Sequence, residues 1–307
     1  MALPPPPPFQ RLSSRVVSIL GLNPSPFTLH GTNTYLVGTG PSRLLIDAGD
    51  GCECAEPFVQ NLRAAMATTG CRSIAQIVAT HHHHDHTGGL RAVREAFGRE
   101  LRVSKWLPAA SAAAAPADEE LLAPAFGGAY HALAHGDELA VEGATLRVLH
   151  TPGHTPDSIS LLLLEENSIF CGDTVLGAGS SVFGDLGAYM RSLRELQRLR
   201  PAALYCGHGP AHAADGAAAR LLQQYIAHRT ARIEQVRAAL AARAGPGATA
   251  DELVGDIYAG ELFVAAADAV LLAAAASNTE KVLLALREDG AAVERGERWY
   301  SVIKAGL

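Results

Sequence analysis

The chain has 307 residues, 25 of them Lys or Arg and 31 Asp or Glu, for a formal net charge of −6. Such a length carries one large domain and a smaller one with an ample core, and such a charge leaves no footprint for tight, sequence-blind nucleic-acid binding. The five cysteines (Cys52, Cys54, Cys71, Cys171 and Cys206) are odd in number and lack disulfide-framework spacing, which points to a reducing compartment.

No run is apolar for long enough to span a bilayer, so no membrane contact is expected. The hydrophobic fraction of 48% is swollen by alanine, so the core must rest on the Val, Ile and Leu clusters. Residues 1–10 open on a polyproline run, which is no secretory apolar core, and are expected to be disordered. No acidic residue precedes Asp47, while Arg11, Ser13, Ser14 and Arg15 are present, a faint presequence pattern. An intracellular protein of the mitochondrial matrix or cytoplasm is therefore expected.

Val16 to Leu20 reads as the first strand, and Gly31–Gly38 with Arg43–Asp47 as a hairpin. A helix follows from Glu56 to Ala67, then a buried strand from Ile74 to Ala79. Directly after it stands Thr80-His81-His82-His83-His84-Asp85-His86-Thr87-Gly88-Gly89, and then a helix from Leu90 to Phe97. Four consecutive histidines suggest an expression tag. A tag sits at a terminus, however, and explains neither Asp85, nor His86, nor the glycine pair that lets a helix start beneath them. In the spacing H-x-H-x-D-H the metal ligands are His81, His83, Asp85 and His86, with His82 and His84 as spacers pointing elsewhere. Such a set suits zinc, and also iron or manganese.

A short strand covers Leu101 to Ser104. From Trp106 to Tyr130 the chain is rich in Ala, Pro and Gly and reads as an insertion near the cleft. Hairpins 138–149 and 158–171 lead to His154 and Asp173. A helix from Leu186 to Leu199 and a strand from Ala203 to Cys206 lead to His208. Each of these three residues follows an apolar run at a glycine-bearing turn. Strand pairs alternating with helices imply two sheets flanked by helices. Beyond His208, Leu221 to Leu240 keeps helical spacing, and Thr249–Glu252 and Ser277–Glu280 read as capping boxes. Residues 290–302 read as a β-hairpin. Three helices and a hairpin give a winged-helix-like module over 229–307, against a catalytic domain over 11–228. Acidic residues slightly outnumber basic ones after 228, so a cap on the cleft or an oligomer contact suits this module better than nucleic-acid binding.

Taken together and in order, these segments resemble the five motifs of the metallo-beta-lactamase superfamily of dinuclear hydrolases. The resemblance implies an α+β fold, an αββα sandwich with every ligand along one edge. It assigns His81, His83 and His154 to one Zn2+ and Asp85, His86 and His208 to a second, with Asp173 bridging both. A hydroxide shared by the two ions is the implied nucleophile, oriented by Asp85. Asp47 matches the first motif, where a carboxylate orients the ligands from behind; Thr80, Asn33 and His228 are candidate supports of the same kind. Cys171 is not expected to touch metal.

The stretch 23–47, with Thr145–His154, Val182–Leu186, Tyr189-Met190 and Tyr225–Arg229, looks like the beta-lactamase-like protein 2 subfamily. Animal members of that subfamily are mitochondrial zinc endoribonucleases, so the implied substrate is single-stranded RNA. His228 and Arg229 are read as tying the long helix down. Two features depart from the subfamily. Both spacers of the metal loop are His, and the 106–130 insert offers a nucleic-acid strand only Lys105, Trp106 and Tyr130 nearby. The rival reading is a thioester hydrolase, because very similar fungal sequences release polyketides from an acyl carrier protein and glyoxalase II shares the ligands. A cationic groove leading to the metals favours RNA, an apolar pocket an acyl thioester.

Overall fold

The computed structural model describes residues 6–107, 128–243, 245–262 and 269–302. Seven strands form the first sheet in sequential order: β1 (Phe9–Arg11), β2 (Val16–Leu20), β3 (Asn33–Val37), β4 (Ser42–Ile46), β5 (Ser73–Val78), β6 (Val103–Trp106) and β7 (His131–Leu133). Pairing is antiparallel up to β4 and parallel from there on. Parallel neighbours require crossovers; α1 (Ala55–Thr69) joins β4 to β5, and the single turn α2 (His84–Thr87) with α3 (Leu90–Phe97) joins β5 to β6. The second sheet runs β12-β11-β10-β9-β8, from β8 (Glu138–Val141), β9 (Ala144–His150), β10 (Ile159–Leu163), β11 (Ser168–Gly172) and β12 (Ala203–Cys206). Outside it lie α4 (Leu186–Arg198) and α5 (Ala217–Ala242), followed by α6 (Ala250–Leu262), α7 (Ala269–Glu288) and the hairpin β13 (Ala292–Arg295), β14 (Arg298–Ser301).

Both faces of each sheet are covered, so central strands are buried at nearly every position and the period of two only sorts side chains between layers. Tyr35, Val37, Leu44 and Ile46 face Leu146, Val148, Leu161, Leu163 and Phe170 across the sandwich. Their neighbours Leu36 and Leu45 turn outward onto Phe58 and Leu62 of α1. On the other sheet Leu149, Ile169 and Leu204 turn outward onto Tyr189 and Leu193 of α4 and Leu222 of α5. Each fully buried side chain of this kind contributes about 1.5–3 kcal/mol. This is the expected αββα sandwich.

Several expectations are corrected. The expected disorder over residues 1–10 is contradicted at its end, because Phe9–Arg11 pairs antiparallel with β2. A Pro-rich prefix is compatible with an edge strand, where missing N–H groups cost no ladder bond. Thr249 does cap α6 reciprocally with Glu252, at 3.0 and 3.2 Å. Ser277, read as a second cap, lies inside α7, which runs unbroken from Ala269 to Glu288. The preceding alanines favour helix, and burial of Ala275, Val282, Leu283 and Leu286 holds it through the site of the supposed start. The expected boundary at 228/229 falls within α5. Val282, Leu283, Leu286 and Trp299 share one apolar cluster with α4 and the second sheet, so the C-terminal helices have no core of their own. Most of the 106–130 insert lies outside the described residues.

The glycine pair after the metal loop is needed for space rather than for backbone freedom. A Cβ on Gly89 would stand 2.1 Å from the Ala48 carbonyl oxygen, and one on Gly88 2.6 Å from Gly51 N. Gly89→Ala is therefore expected to lower stability by roughly 1–3 kcal/mol, read as a drop in denaturation midpoint with unchanged slope.

Candidate metal centre

Every site residue follows a strand on the same edge of the sandwich: Asp47 after β4, Thr80–His86 after β5, His154 after β9, Asp173 after β11 and His208 after β12. Just inside that edge Tyr35, Phe170 and Tyr205 pack with ring centroids 4.9–5.8 Å apart, and the Tyr35 hydroxyl donates to Cys206 O at 2.5 Å. Asn33 secures the His208 turn, its backbone N–H donating to Gly207 O (2.7 Å) and its side chain to Cys206 O (3.1 Å) and Gly209 O (2.7 Å). A Cβ on Gly207 would stand 2.2 Å from Asp173 Oδ1, so the turn approaches the centre as only glycine allows.

Two clusters of potential ligands result. One is His81, His83 and His154; the other is Asp85, His86, Asp173 and His208. In the first, His83 Nδ1 stands 3.1 Å from His81 Nε2 and 3.0 Å from His154 Nε2. In the second, His208 Nε2 lies 3.1 Å from Asp85 Oδ2 and 3.2 Å from Asp173 Oδ2, and His86 Nε2 3.3 Å from Asp173 Oδ1. Asp173 Oδ2 is also 3.8 Å from His154 Nε2, so this carboxylate touches both groups.

The back of each ring shows which nitrogen is free. His154 Nδ1 is 2.7 Å from Val182 O, and a carbonyl only accepts, so Nδ1 carries hydrogen and Nε2 faces its partners with a lone pair. His86 Nδ1 likewise donates to Asp47 Oδ2 at 2.7 Å. Thr80 Oγ1 donates to Asp47 Oδ2 at 2.9 Å and sits 3.0 Å from His81 Nδ1, which sets that ring by relay. Asp47 Oδ1 accepts from Thr80 N–H at 2.8 Å. One buried carboxylate thus orients ligands in both clusters, from a backbone at φ 57°. That strained position is maintained by the network it organises. Asp47→Ala is expected to lower divalent-metal affinity by about 10–100-fold, measured by competition against a chromogenic chelator.

The donor set fits a pair of divalent ions. His86 Nε2 and Asp173 Oδ1 are buried without a hydrogen-bond partner among the described residues, a cost that coordination would remove. Burial holds His83 down to about 4 and His81 well below its ordinary value, reinforced by neighbouring imidazoles, so both are neutral lone-pair donors. Burial acts the same way on His86 and His208 but is outweighed by facing carboxylates. His208 is pushed up to about 9 and His86 well above its ordinary value. Burial would raise Asp85 and Asp173; hydrogen bonding from His208 and the charge of His86 and His208 overcome it, leaving Asp85 at about 2 and Asp173 well below the carboxylate range. Metal would supply the positive charge that those protons now supply.

The spacers do point elsewhere. His82 Nδ1 meets Asp157 Oδ1 at 2.8 Å and His84 Nε2 meets Asp50 Oδ1 at 3.1 Å. Asp157 also pairs with Lys105, both side chains fully buried, beneath the Tyr130 ring. Sequence reasoning missed this anchor of the metal loop; its available signal was a charged residue within the short strand 103–106. Of the three residues near the insert that a nucleic-acid strand could use, Lys105 is taken up by Asp157 beneath Tyr130, and Trp106 stacks on His150 at 4.1 Å. Cys171 faces the α4 layer, its Sγ 3.3 Å from Val175 O, away from both clusters. His228 is exposed and lines a separate pocket behind Gly177–Ser180, so the structure does not bring it to the centre. Arg229 is buried, donates to Ser180 Oγ and Ser181 O, and lies over Phe183, holding a wall of the cleft as well as the helix.

The clusters open onto a cleft of about 480 Å³. Its remaining walls include Phe27, Leu29, Leu176, Val182 and Phe183, with Lys281 from α7.

The profile of the Metallo-beta-lactamase superfamily matches residues 27–208, more than half of the chain. The Beta-lactamase-like protein 2 homolog of Caenorhabditis elegans is 37% identical over 283 residues, 92% of this chain and 88% of that protein. An Atrochrysone carboxyl ACP thioesterase of Passalora fulva is 36% identical over 264 residues, 83% of this chain and 72% of that protein. The crystal structure of a beta-lactamase domain protein from Burkholderia ambifaria superposes with a TM-score of 0.74 at 22% identity, covering 96% of this chain and 93% of that one, which speaks to the fold. No helix among the described residues is long and apolar enough to cross a membrane. By the sequence profile, the near full-length relatives and the sandwich itself, this chain belongs to the metallo-beta-lactamase superfamily.

Proposed function

We propose that the protein is a two-zinc hydrolase acting on an acyl thioester. The observation that carries this reading is the cleft: among the described residues, Phe27, Leu29, Leu176, Val182 and Phe183 give the approach to the clusters an apolar wall, and Lys281 is its one lysine or arginine. That wall suits an acyl chain better than a phosphate backbone, which calls for repeated cations. His81, His83 and His154 would hold one ion, Asp85, His86 and His208 the other, with Asp173 between them. When bound, such a pair supplies Lewis acidity toward a substrate oxygen and a water that loses its proton near neutral pH. Asp85, at about 2, stays ionised at neutral pH; it orients a nucleophile by accepting a hydrogen bond and is a poor store for a proton. The apolar walls exclude bulk water from the acyl group. A thiol leaving group of pKa about 8.5 departs without a protonated side chain to assist it.

Cleavage of single-stranded RNA is the second reading. It is supported by the subfamily resemblance and by Phe27, a ring 62% exposed beside the cleft and able to stack a base. Zinc-loaded protein assayed in parallel on an S-acyl-N-acetylcysteamine and on unstructured RNA separates the two. The expected result is thioester hydrolysis that disappears in Asp173→Ala, with RNA intact. RNA cleavage that disappears in the same variant, with the thioester untouched, overturns the first reading in favour of the second.

A further inference from the structure

The C-terminal helices contribute one side chain to the metal cleft. Lys281 lines it together with His83, Asp85, His154, Asp173 and His208. Its position is fixed by its neighbours: Val282 and Leu283, next in the chain, are buried in the cluster that also holds Tyr189 and Leu193 of α4. Its Nζ lies 5.6 Å from the Phe183 ring centroid, and the adjoining Val182 carbonyl accepts from His154 Nδ1. Lys281 therefore stands one residue's packing away from a ligand of the first cluster.

Among the described residues no carboxylate forms an ion pair with Lys281. The ring beneath it compensates part of its lost hydration. Burial lowers its pKa from the ordinary value, against a raising influence from Glu280. The two acidic groups facing the cleft, Asp85 and Asp173, already meet His86 and His208. A half-buried ammonium among apolar walls, without its own counter-ion, is the complement of a negative charge brought by a ligand.

We infer that Lys281 is the anion-binding residue of the cleft, receiving a phosphate or carboxylate that the substrate carries. The inference deepens the hydrolase reading and rests on its placement of substrate in this cleft. It also ties the C-terminal region to substrate recognition, because without α7 the pocket keeps its ligands and loses Lys281, its one lining lysine among the described residues.

Equilibrium binding tests this without turnover. The probes are the S-hexyl thioether of pantetheine with its 4′-phosphate, and S-hexylglutathione with its dimethyl ester, titrated into zinc-loaded full-length protein, with uridine and uridine 3′-phosphate as a parallel arm. Wild type is expected to bind at least one charged probe about tenfold tighter than its neutral counterpart, the worth of one charge-assisted hydrogen bond. Lys281→Gln should erase that margin while neutral probes move less than twofold, and Lys281→Arg should keep most of it. Which charged probe responds separates phosphate from carboxylate. A margin found only in the nucleotide arm and erased by Lys281→Gln keeps Lys281 as the anion site and discards the thioester. No margin in wild type, or equal losses for charged and neutral probes in Lys281→Gln, overturns the inference.

Discussion

Asp173→Ala is expected to lower kcat/KM by more than ~100-fold. Carboxylates that only orient metal ligands are worth roughly 10–100-fold, and Asp173 does more than orient. Its two oxygens lie 3.3 Å from His86, 3.2 Å from His208 and 3.8 Å from His154, so its carboxylate faces ligand nitrogens of both clusters. Removing it leaves three donors in each group with nothing shared between them, and a pair of cations held there would lack the anion that offsets their repulsion. The loss should exceed that of Asp47→Ala, which acts through His86 and Thr80. Steady-state kinetics of both variants under saturating zinc check the ranking. A milder effect from Asp173 than from Asp47 would remove the shared-ligand role.

Stripped of metal, the protein is expected to be most stable near pH 6.5 and to weaken on both sides. His83, at about 4 in the folded chain, binds its proton more readily unfolded, so stability rises as pH climbs from 4 to 6.5. His81 is lowered too and acts with the same sign. His208, at about 9, does the reverse: its contribution is complete below 6.5 and is lost as pH rises toward 9, and His86, also raised, adds to that loss. The displacement of His83 to about 4, or of His208 to about 9, corresponds to at most roughly 3.4 kcal/mol. Asp85 matters lower down, its contribution complete above the ordinary carboxylate value and lost as pH falls through about 2. Thermal midpoints measured with chelator across pH 4–9.5 should trace this peak, and zinc should flatten its alkaline side because metal replaces the protons on His86 and His208. Zinc binding at pH 7 should accordingly release protons, visible by calorimetry in buffers of different ionisation enthalpy. A chelated profile without an alkaline decline would show that His86 and His208 do not carry those protons.

Much of the centre was legible because each ligand terminates an apolar run at a glycine-bearing turn, and strand ends on one edge converge. His81 to His86, His154, Asp173 and His208 all obey that rule, and the sandwich follows from the same alternation of strands and helices. What local pattern cannot show is who meets whom across the sandwich. His82 and Asp157 are 75 residues apart, and Arg229 and Ser180 are 49 apart. Neither partner carries a periodic or capping signal. Lys281 sits on a helix whose start was misplaced at Ser277, since a capping-box pattern also occurs inside helices held by burial. β1 was hidden by the proline run before it; its strand character comes from pairing with β2 rather than from its own three residues.

Metal stoichiometry tests the central claim most directly. Native mass spectrometry of zinc-loaded protein, freed of excess metal, should show two zinc ions per chain in wild type, and fewer when Asp85 and His208 are both replaced by Ala. Protein that retains no zinc, or that keeps two ions after both replacements, would contradict the pairing of these clusters into one dinuclear centre.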